Sequence, residues 1–220
     1  MSKELKKRFI TSFFLLTLFI LMFFYTYILI ISLLVISIIS WIEFYALISK
    51  IFIKRNYKDK IFKFLYKLIS LIYLSALFFF ILTIEANTPE LKIYIYYSIL
   101  ISILSDIGGL VVGRSFKGKK LTRISPKKTI SGSIGSFIFS LFSIPFFAQL
   151  LTNHNFFSLI VITIIISFVS QMGDLFVSLL KRKANVKDTS DLLPGHGGVL
   201  DRIDGMLFAI PIGFLLLNHI

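Results

Sequence analysis

The sequence predicts an all-α protein: a polytopic transmembrane helical bundle of about seven spans, with its active site on the cytoplasmic face. Three observations carry this expectation. Of 220 residues, 56% are apolar, and they gather into repeated runs near twenty residues, the length that crosses a bilayer core as a helix. The basic residues sit in alternate gaps between those runs. One 31-residue stretch, 174–204, crowds five carboxylates, five cations and a histidine between two apolar runs. Such groups are costly near a membrane and mark function.

The apolar runs lie near 9–24, 27–48, 61–84, 93–112, 133–151, 156–180 and 205–217. The first follows a short basic N-terminus. No small-residue cleavage site comes after it and further spans do, so it reads as a first membrane helix and not a signal peptide. The first two runs are nearly continuous, with a turn near 25–27. Small residues cluster at 131–136, opening the fifth run, where they serve either close helix approach or a permissive helix start. The last run is short, a partial or tilted span. The chain is expected to be one compact membrane domain without a soluble appendage. Within it, 1–92 holds three N-terminal spans, and 93–220 holds a catalytic region with the motif loop 174–204.

The net charge is +13. Four basic residues precede the first run, seven lie in 50–67, seven in 114–128 and five in 181–202; Lys92 is the remaining one. The intervening gaps are nearly uncharged. The positive-inside rule places the N-terminus, the basic loops and the active site on the cytoplasmic side of the inner membrane, multi-pass, with the C-terminus outward after seven spans. The charge also suits anionic lipid head groups. No separate basic module exists, so nucleic acid is not an expected partner. The absence of cysteine excludes disulfides and thiolate metal sites.

Topology gathers the polar groups at one face. Asp106 falls near the cytoplasmic end of the fourth run and Asp174 near that of the sixth. A carboxylate inside a span must be paired, metal-bound or protonated. For Asp106 the alternative is a packing ion pair, for example with Arg114. Asp174, Ser178, Lys181 and Arg182 follow helical spacing and share one face. Asp201 and Asp204, three apart, share another. Hard oxygen ligands from two helices suit Mg²⁺, with water and substrate phosphate completing its octahedron. His196 is a weaker metal candidate and reads as a hydrogen-bonding or loop-fixing residue. The loop Pro194-Gly-His-Gly-Gly198 brings backbone N–H groups close to an anion. Arg123-Ile-Ser-Pro-Lys-Lys-Thr129 offers cations and hydroxyls around a rigid turn at Pro126. There is no Walker-type loop, Gly-x-Ser-x-Gly elbow or His-Glu-x2-His, so P-loop nucleotidase and serine-hydrolase chemistry lack support.

The stretch 178–204 resembles the diagnostic motif of the phosphatidate cytidylyltransferases, or CDP-diglyceride synthetases. Ser178, Lys181-Arg182, Lys187-Asp188, His196-Gly197-Gly198 and Asp201-Arg202-Ile203-Asp204 fill every fixed position. Asp106 with Gly108, Gly113-Arg114 and Phe116 is similar to a second family segment. Ser125-Pro126-Lys127-Lys128-Thr129 is similar to a third. The resemblance covers about 105–210; before it, Glu43-Phe44-Tyr45 is a faint echo. Three positions depart from the pattern. Ser131 and Val177 stand where the family usually has Glu, and the glycine after Phe116 is displaced, giving Lys117-Gly118.

The resemblance implies an enzyme, a nucleotidyltransferase of phospholipid biosynthesis. It would make CDP-diacylglycerol and pyrophosphate from CTP and phosphatidic acid, with Mg²⁺ as cofactor. Asp174, Asp201 and Asp204 are the expected metal ligands. Lys181, Arg182, Lys187, Asp188 and Arg202 complete the catalytic set. Asp106, Arg114, Ser125, Lys127, Lys128, Thr129, Ser178, His196, Gly197 and Gly198 would bind substrate. The expected partners are CTP, phosphatidic acid, membrane lipids and, as an open alternative to a monomer, a second copy in a homodimer. Three other readings stay open: a CTP-dependent lipid kinase of the dolichol-kinase type, a small membrane transporter, and an inactive relative. A transporter predicts polar groups on both faces and at mid-depth, and the crowding at one face disfavours it.

Overall fold

The structure is a computed structural model that describes residues 3–53, 56–122 and 124–219. Lys54, Arg55 and Arg123, counted among the basic residues above, lie outside the described residues. The regular elements of the described residues are all helices, with isolated bridges at Lys120–Thr129 and Leu193–Gly197. Six helical segments are long and apolar enough to cross a membrane. This is the character of a multi-pass membrane protein.

Contacts divide the chain into two compact units, Met1–Asn87 with Leu180–Ile203, and Thr88–Leu179 with Asp204–Ile220. Packing therefore places the motif loop with the N-terminal helices, whereas the expected division near residue 92 follows chain order.

In the first unit, α1 (Lys3–Phe24) and α2 (Thr26–Ile51) are separated by Tyr25 alone, which is extended at φ −123° and ψ 105°. Neither Gly nor Pro marks this break. A run of aromatic and β-branched side chains, Phe23 to Tyr27, has weak helix propensity there. The α3 helix (Tyr57–Asn87) returns along α2, and Thr26 Oγ1 donates to Glu85 Oε1 at 2.7 Å to tie the start of one to the end of the other. At 31 residues, α3 is about 46 Å long, well beyond a hydrocarbon core of about 30 Å.

The second unit opens with Pro89 starting a 3-10 turn, Pro89–Leu91, that feeds α4 (Lys92–Phe116). The α5 helix (Ile130–Leu141) packs on α4 through glycine. A Cβ at Gly108 would lie 2.4 Å from the Gly135 carbonyl oxygen, and one at Gly135 would lie 2.4 Å from Val112 Cβ. Ser136 Oγ donates to the Ser105 carbonyl at 2.7 Å across the same seam. The small residues at 131–136 thus serve close approach.

The fifth apolar run is not one helix. It breaks after Leu141 and resumes as α6 (Ile144–Phe147), because Pro145 has no N–H for the Leu141 carbonyl. The α7 helix (Phe156–Lys183) is continuous through the start of the motif. A one-turn α8 (Leu200–Ile203) precedes α9 (Met206–His219). With 14 residues, α9 is about 21 Å long, short of a full crossing. The core of this unit is rich in hydroxyls, as membrane helix interfaces are: Tyr97 meets Thr163 at 2.6 Å and Ser167 donates to Ser105 at 3.1 Å.

Candidate active site

In the first unit the loop from Ala184 to Val199 is organised by two buried carboxylates. Asp201, 8% exposed, accepts from Lys181 Nζ at 2.6 Å on Oδ1. Its Oδ2 accepts from Thr189 N–H at 2.8 Å, Thr189 Oγ1 at 2.9 Å and Gly198 N–H at 3.0 Å. Burial alone would raise this carboxyl. The Lys181 ammonium and the two backbone N–H groups outweigh it and hold the group below the usual carboxylate range.

The second carboxylate is Glu43, 4% exposed on α2. It accepts from Ser190 Oγ at 2.6 Å and Val199 N–H at 3.0 Å on Oε1, and from Leu200 N–H at 2.8 Å on Oε2, where Thr189 Oγ1 also lies at 2.8 Å, its one proton shared between Glu43 and Asp201. It caps α8 and pins both ends of the loop to one helix. Sequence reasoning placed no site role on Glu43. The available signal was a carboxylate inside an apolar span, which must find partners.

Two glycines are required by this packing. A Cβ on Gly198 would lie 2.0 Å from Thr189 Oγ1 and 2.5 Å from Glu43 Oε2. Gly197 adopts φ +82°, a left-handed conformation that side chains rarely take. His196 sits beside α1, its Nε2 3.2 Å from Ser12 Oγ, while Thr11 Oγ1 donates to the Pro194 carbonyl at 3.0 Å. Burial, then the positive charges of Arg202 and Arg8, push the His196 ring below its ordinary pKa, so it is neutral at pH 7. Its place fits the loop-fixing reading. On the outer side, Arg182, Lys187, Asp188 and Arg202 are exposed, and Lys187 lies 3.9 Å from Asp188.

In the second unit Asp174 forms an ion pair with Lys128 and accepts from Ser178 Oγ at 3.2 Å. This brings the Ser-Pro-Lys-Lys-Thr segment onto the helix that begins the long motif. The segment forms a tight excursion. Leu121 N–H donates to the Lys128 carbonyl at 2.8 Å and Lys128 N–H to the Ser125 carbonyl at 3.0 Å. Thr129 Oγ1 caps α5 by accepting from Gly132 N–H at 3.1 Å. Lys127 and Arg114 are exposed, and Ser125 is partly so. Ser131, in place of the family's Glu, donates to the Lys117 carbonyl and contacts Thr129 Oγ1 at 3.0 Å. Lys117 itself holds φ +50° and ψ −143°. The displaced glycine therefore leaves a side chain at a position of glycine geometry.

Asp204 is buried, and its Oδ1 accepts from Gly205 N–H at 2.8 Å. Its backbone abuts α7: a Cβ at Gly173 would lie 2.7 Å from the Asp204 carbonyl oxygen. Asp174, next to Gly173, and Asp204 therefore lie at one level of one unit. Asp106 is exposed on α4. Because α4 and α7 outrun their apolar stretches, Asp106 and Asp174 sit about 15 Å and 14 Å from their helix ends, deeper than the apolar runs suggest.

Among the described residues no group of three or more His, Asp or Glu is placed to hold a metal. The three expected carboxylates differ in how far their oxygens are already engaged. Asp201 is the most engaged: Oδ2 accepts two backbone N–H groups and shares the Thr189 hydroxyl, and Oδ1 takes the Lys181 ammonium, so Lys181 is engaged inward. Asp174 and Asp204 are less engaged, with an ion pair and a hydroxyl on the first and one backbone N–H given to the second. They are hard oxygen donors at one level, and the Lys128 ammonium on Asp174 occupies the place a metal ion would take there. Mg²⁺ needs only one or two protein carboxylates.

Six apolar helical segments among the described residues, with carboxylates and cations in both units, define a multi-pass membrane protein of the polar-motif kind. The chain matches the cytidylyltransferase family over residues 1–220, and it belongs to that family. It is 44% identical over 129 residues to the phosphatidate cytidylyltransferase of Staphylococcus haemolyticus (strain JCSC1435), covering 56% of this chain and 48% of that one. It is 37% identical over 150 residues to that of Bacillus subtilis (strain 168), covering 66% and 55%. For that of Rickettsia prowazekii (strain Madrid E) the figures are 39% over 164 residues, and 69% of each chain. The chain spans about half the length of the first two relatives.

Proposed function

We propose that this chain transfers a cytidylyl group from CTP to phosphatidic acid at the cytoplasmic face of the inner membrane, yielding CDP-diacylglycerol and pyrophosphate. The observation that carries the reading is the Lys128–Asp174 pair, which joins two motif segments far apart in sequence. The phosphatidate oxygen attacks the α-phosphorus of CTP. The bond from that phosphorus to the bridging oxygen breaks, and pyrophosphate leaves with the electron pair. The nucleophile is already an anion, so no strong base is needed; positioning and charge neutralisation are the work.

Asp174 and Asp204 would hold Mg²⁺, which would supply charge neutralisation for the phosphates. In the second unit Lys127, Lys128 and Arg114 would offer cations to phosphate; in the first, Lys187, Arg182 and Arg202 are exposed cations suited to the same charge. Ser125, Ser178 and Asp106 line the substrate approach. Gly197 and His196 shape the phosphate loop, while Glu43, Asp201, Lys181 and Gly198 hold that loop in place. The test is purified protein with CTP, phosphatidic acid and Mg²⁺, scored for pyrophosphate and the lipid product. Release of CDP in place of pyrophosphate would overturn the reading in favour of a lipid kinase.

A further inference from the structure

The first unit carries a groove of about 410 Å³ between α2 and α3 that the proposed reaction does not use. Lys60, Lys63 and Lys67 line it at i, i+3 and i+7 of α3, on one helical face. Trp41 and Tyr45, at i and i+4 of α2, form the opposite wall. The Lys67 ammonium lies 3.1 Å from the Tyr45 ring centroid. Trp41 Nε1 donates to the Lys67 carbonyl at 3.5 Å. No acidic residue lines the groove, so its charge is uniformly positive.

Depth is set by length. The α3 helix exceeds the hydrocarbon core by about 16 Å, or roughly eleven residues. Its first eleven residues, 57–67, hold all four of its lysines, and the next twenty hold a single charge, Glu85. The overhang therefore sits at head-group level. Phe64, Leu68 and Leu71 continue the groove toward the apolar side. Lysines above, an aromatic pair at the boundary and apolar side chains below match one kind of molecule.

We propose that this groove binds an anionic phospholipid, with its phosphate among Lys60, Lys63 and Lys67 and its acyl chain along Phe64, Leu68 and Leu71. The site is distinct from the motif loop. Residues 41 and 45 lie about 200° around α2 from residue 43, so the helix presents the groove on one face and the Glu43 anchor on the other.

Trp41 is the only tryptophan, so the chain carries its own probe. The intact protein is placed in phosphatidylcholine vesicles containing phosphatidylglycerol brominated near the head group, and Trp41 quenching is compared with that from brominated phosphatidylcholine. The anionic lipid should quench at lower mole fraction. Lys60→Gln with Lys63→Gln should weaken that preference by about thirtyfold, at roughly fivefold per lysine. Lys58→Gln, on the same helix outside the groove, should leave it intact, and Lys60→Arg with Lys63→Arg should restore it. Equal quenching by the two lipids, or equal loss in the Lys58 variant, would overturn the proposal. Abolition of the preference by millimolar inorganic phosphate would show a free-anion site and overturn the lipid assignment.

Discussion

Glu43→Gln is the sharpest perturbation the structure offers, because it changes one atom of a carboxylate with four donors. Two are hydroxyls, from Thr189 and Ser190, which can rotate to accept. The other two are backbone N–H groups, of Val199 on one oxygen and Leu200 on the other, which can only donate. A glutamine must point its amide NH₂ at one of them, leaving a buried donor without an acceptor. Such an orphan costs about 1–3 kcal/mol, and the surviving bonds lose their charge assistance, adding roughly 1 kcal/mol. The loop should therefore lose about 2–4 kcal/mol of local stability. Amide hydrogen exchange across 188–200 should accelerate by roughly 30- to 1000-fold, since each 1.4 kcal/mol is about tenfold. Glu85→Gln is the control, because that carboxylate accepts from a rotatable hydroxyl of Thr26 and not from this loop. Turnover should fall with the loop, through kcat more than through the KM for lipid. Unchanged exchange at Val199 and Leu200 in the Glu43 variant would refute the argument that this residue holds the loop.

Three further outcomes follow from the same geometry. Gly198→Ala places a carbon 2.0 Å from Thr189 Oγ1, so it should open the loop by about 1–3 kcal/mol, read by the same exchange measurement. His196 has a folded pKa below its ordinary value of 6.5, so the unfolded chain binds the proton more readily; stability is full above about 6.5 and falls as pH drops through the lowered folded value. Thermal unfolding should show that loss for the native chain and less of it for His196→Gln. Asp174→Asn should reduce turnover on the order of a hundredfold or more while the protein stays in the membrane fraction, and Lys58→Ala should leave turnover near normal.

The spans and the motif were legible in the sequence because each is written locally. Twenty apolar residues in a row satisfy their own backbone as a helix wherever they sit. The spacing from Asp174 to Arg182 needed only the helical period, and α7 is continuous across it. What escaped were the partners of buried charge. Glu43 lies 146 residues from Thr189, and no local pattern announces that pairing. For Asp201 the sequence shows only a carboxylate three residues from another. Its four donors come from Lys181, Thr189 and Gly198, whose convergence only the folded loop reveals. The break after Leu141 was available from Pro145, but a long apolar run hid it.

The departures from the family pattern take on meaning in the same way. Val177 is 2% exposed on α7, so a carboxylate there would need its own buried partner, and the apolar side chain removes that need. Ser131 is too short to reach far, yet it holds the Lys117 carbonyl in a turn where Lys117 carries a positive φ. These positions serve packing and turn geometry in this chain. Under the proposed function, the acidic role falls to carboxylates near the Ser-Pro-Lys-Lys-Thr segment and α7. Asp174 does so through its pair with Lys128, and Asp204 is nearby, its backbone against Gly173. A site reduced to two such carboxylates still matches what Mg²⁺ asks of a protein when substrate phosphates supply other ligands.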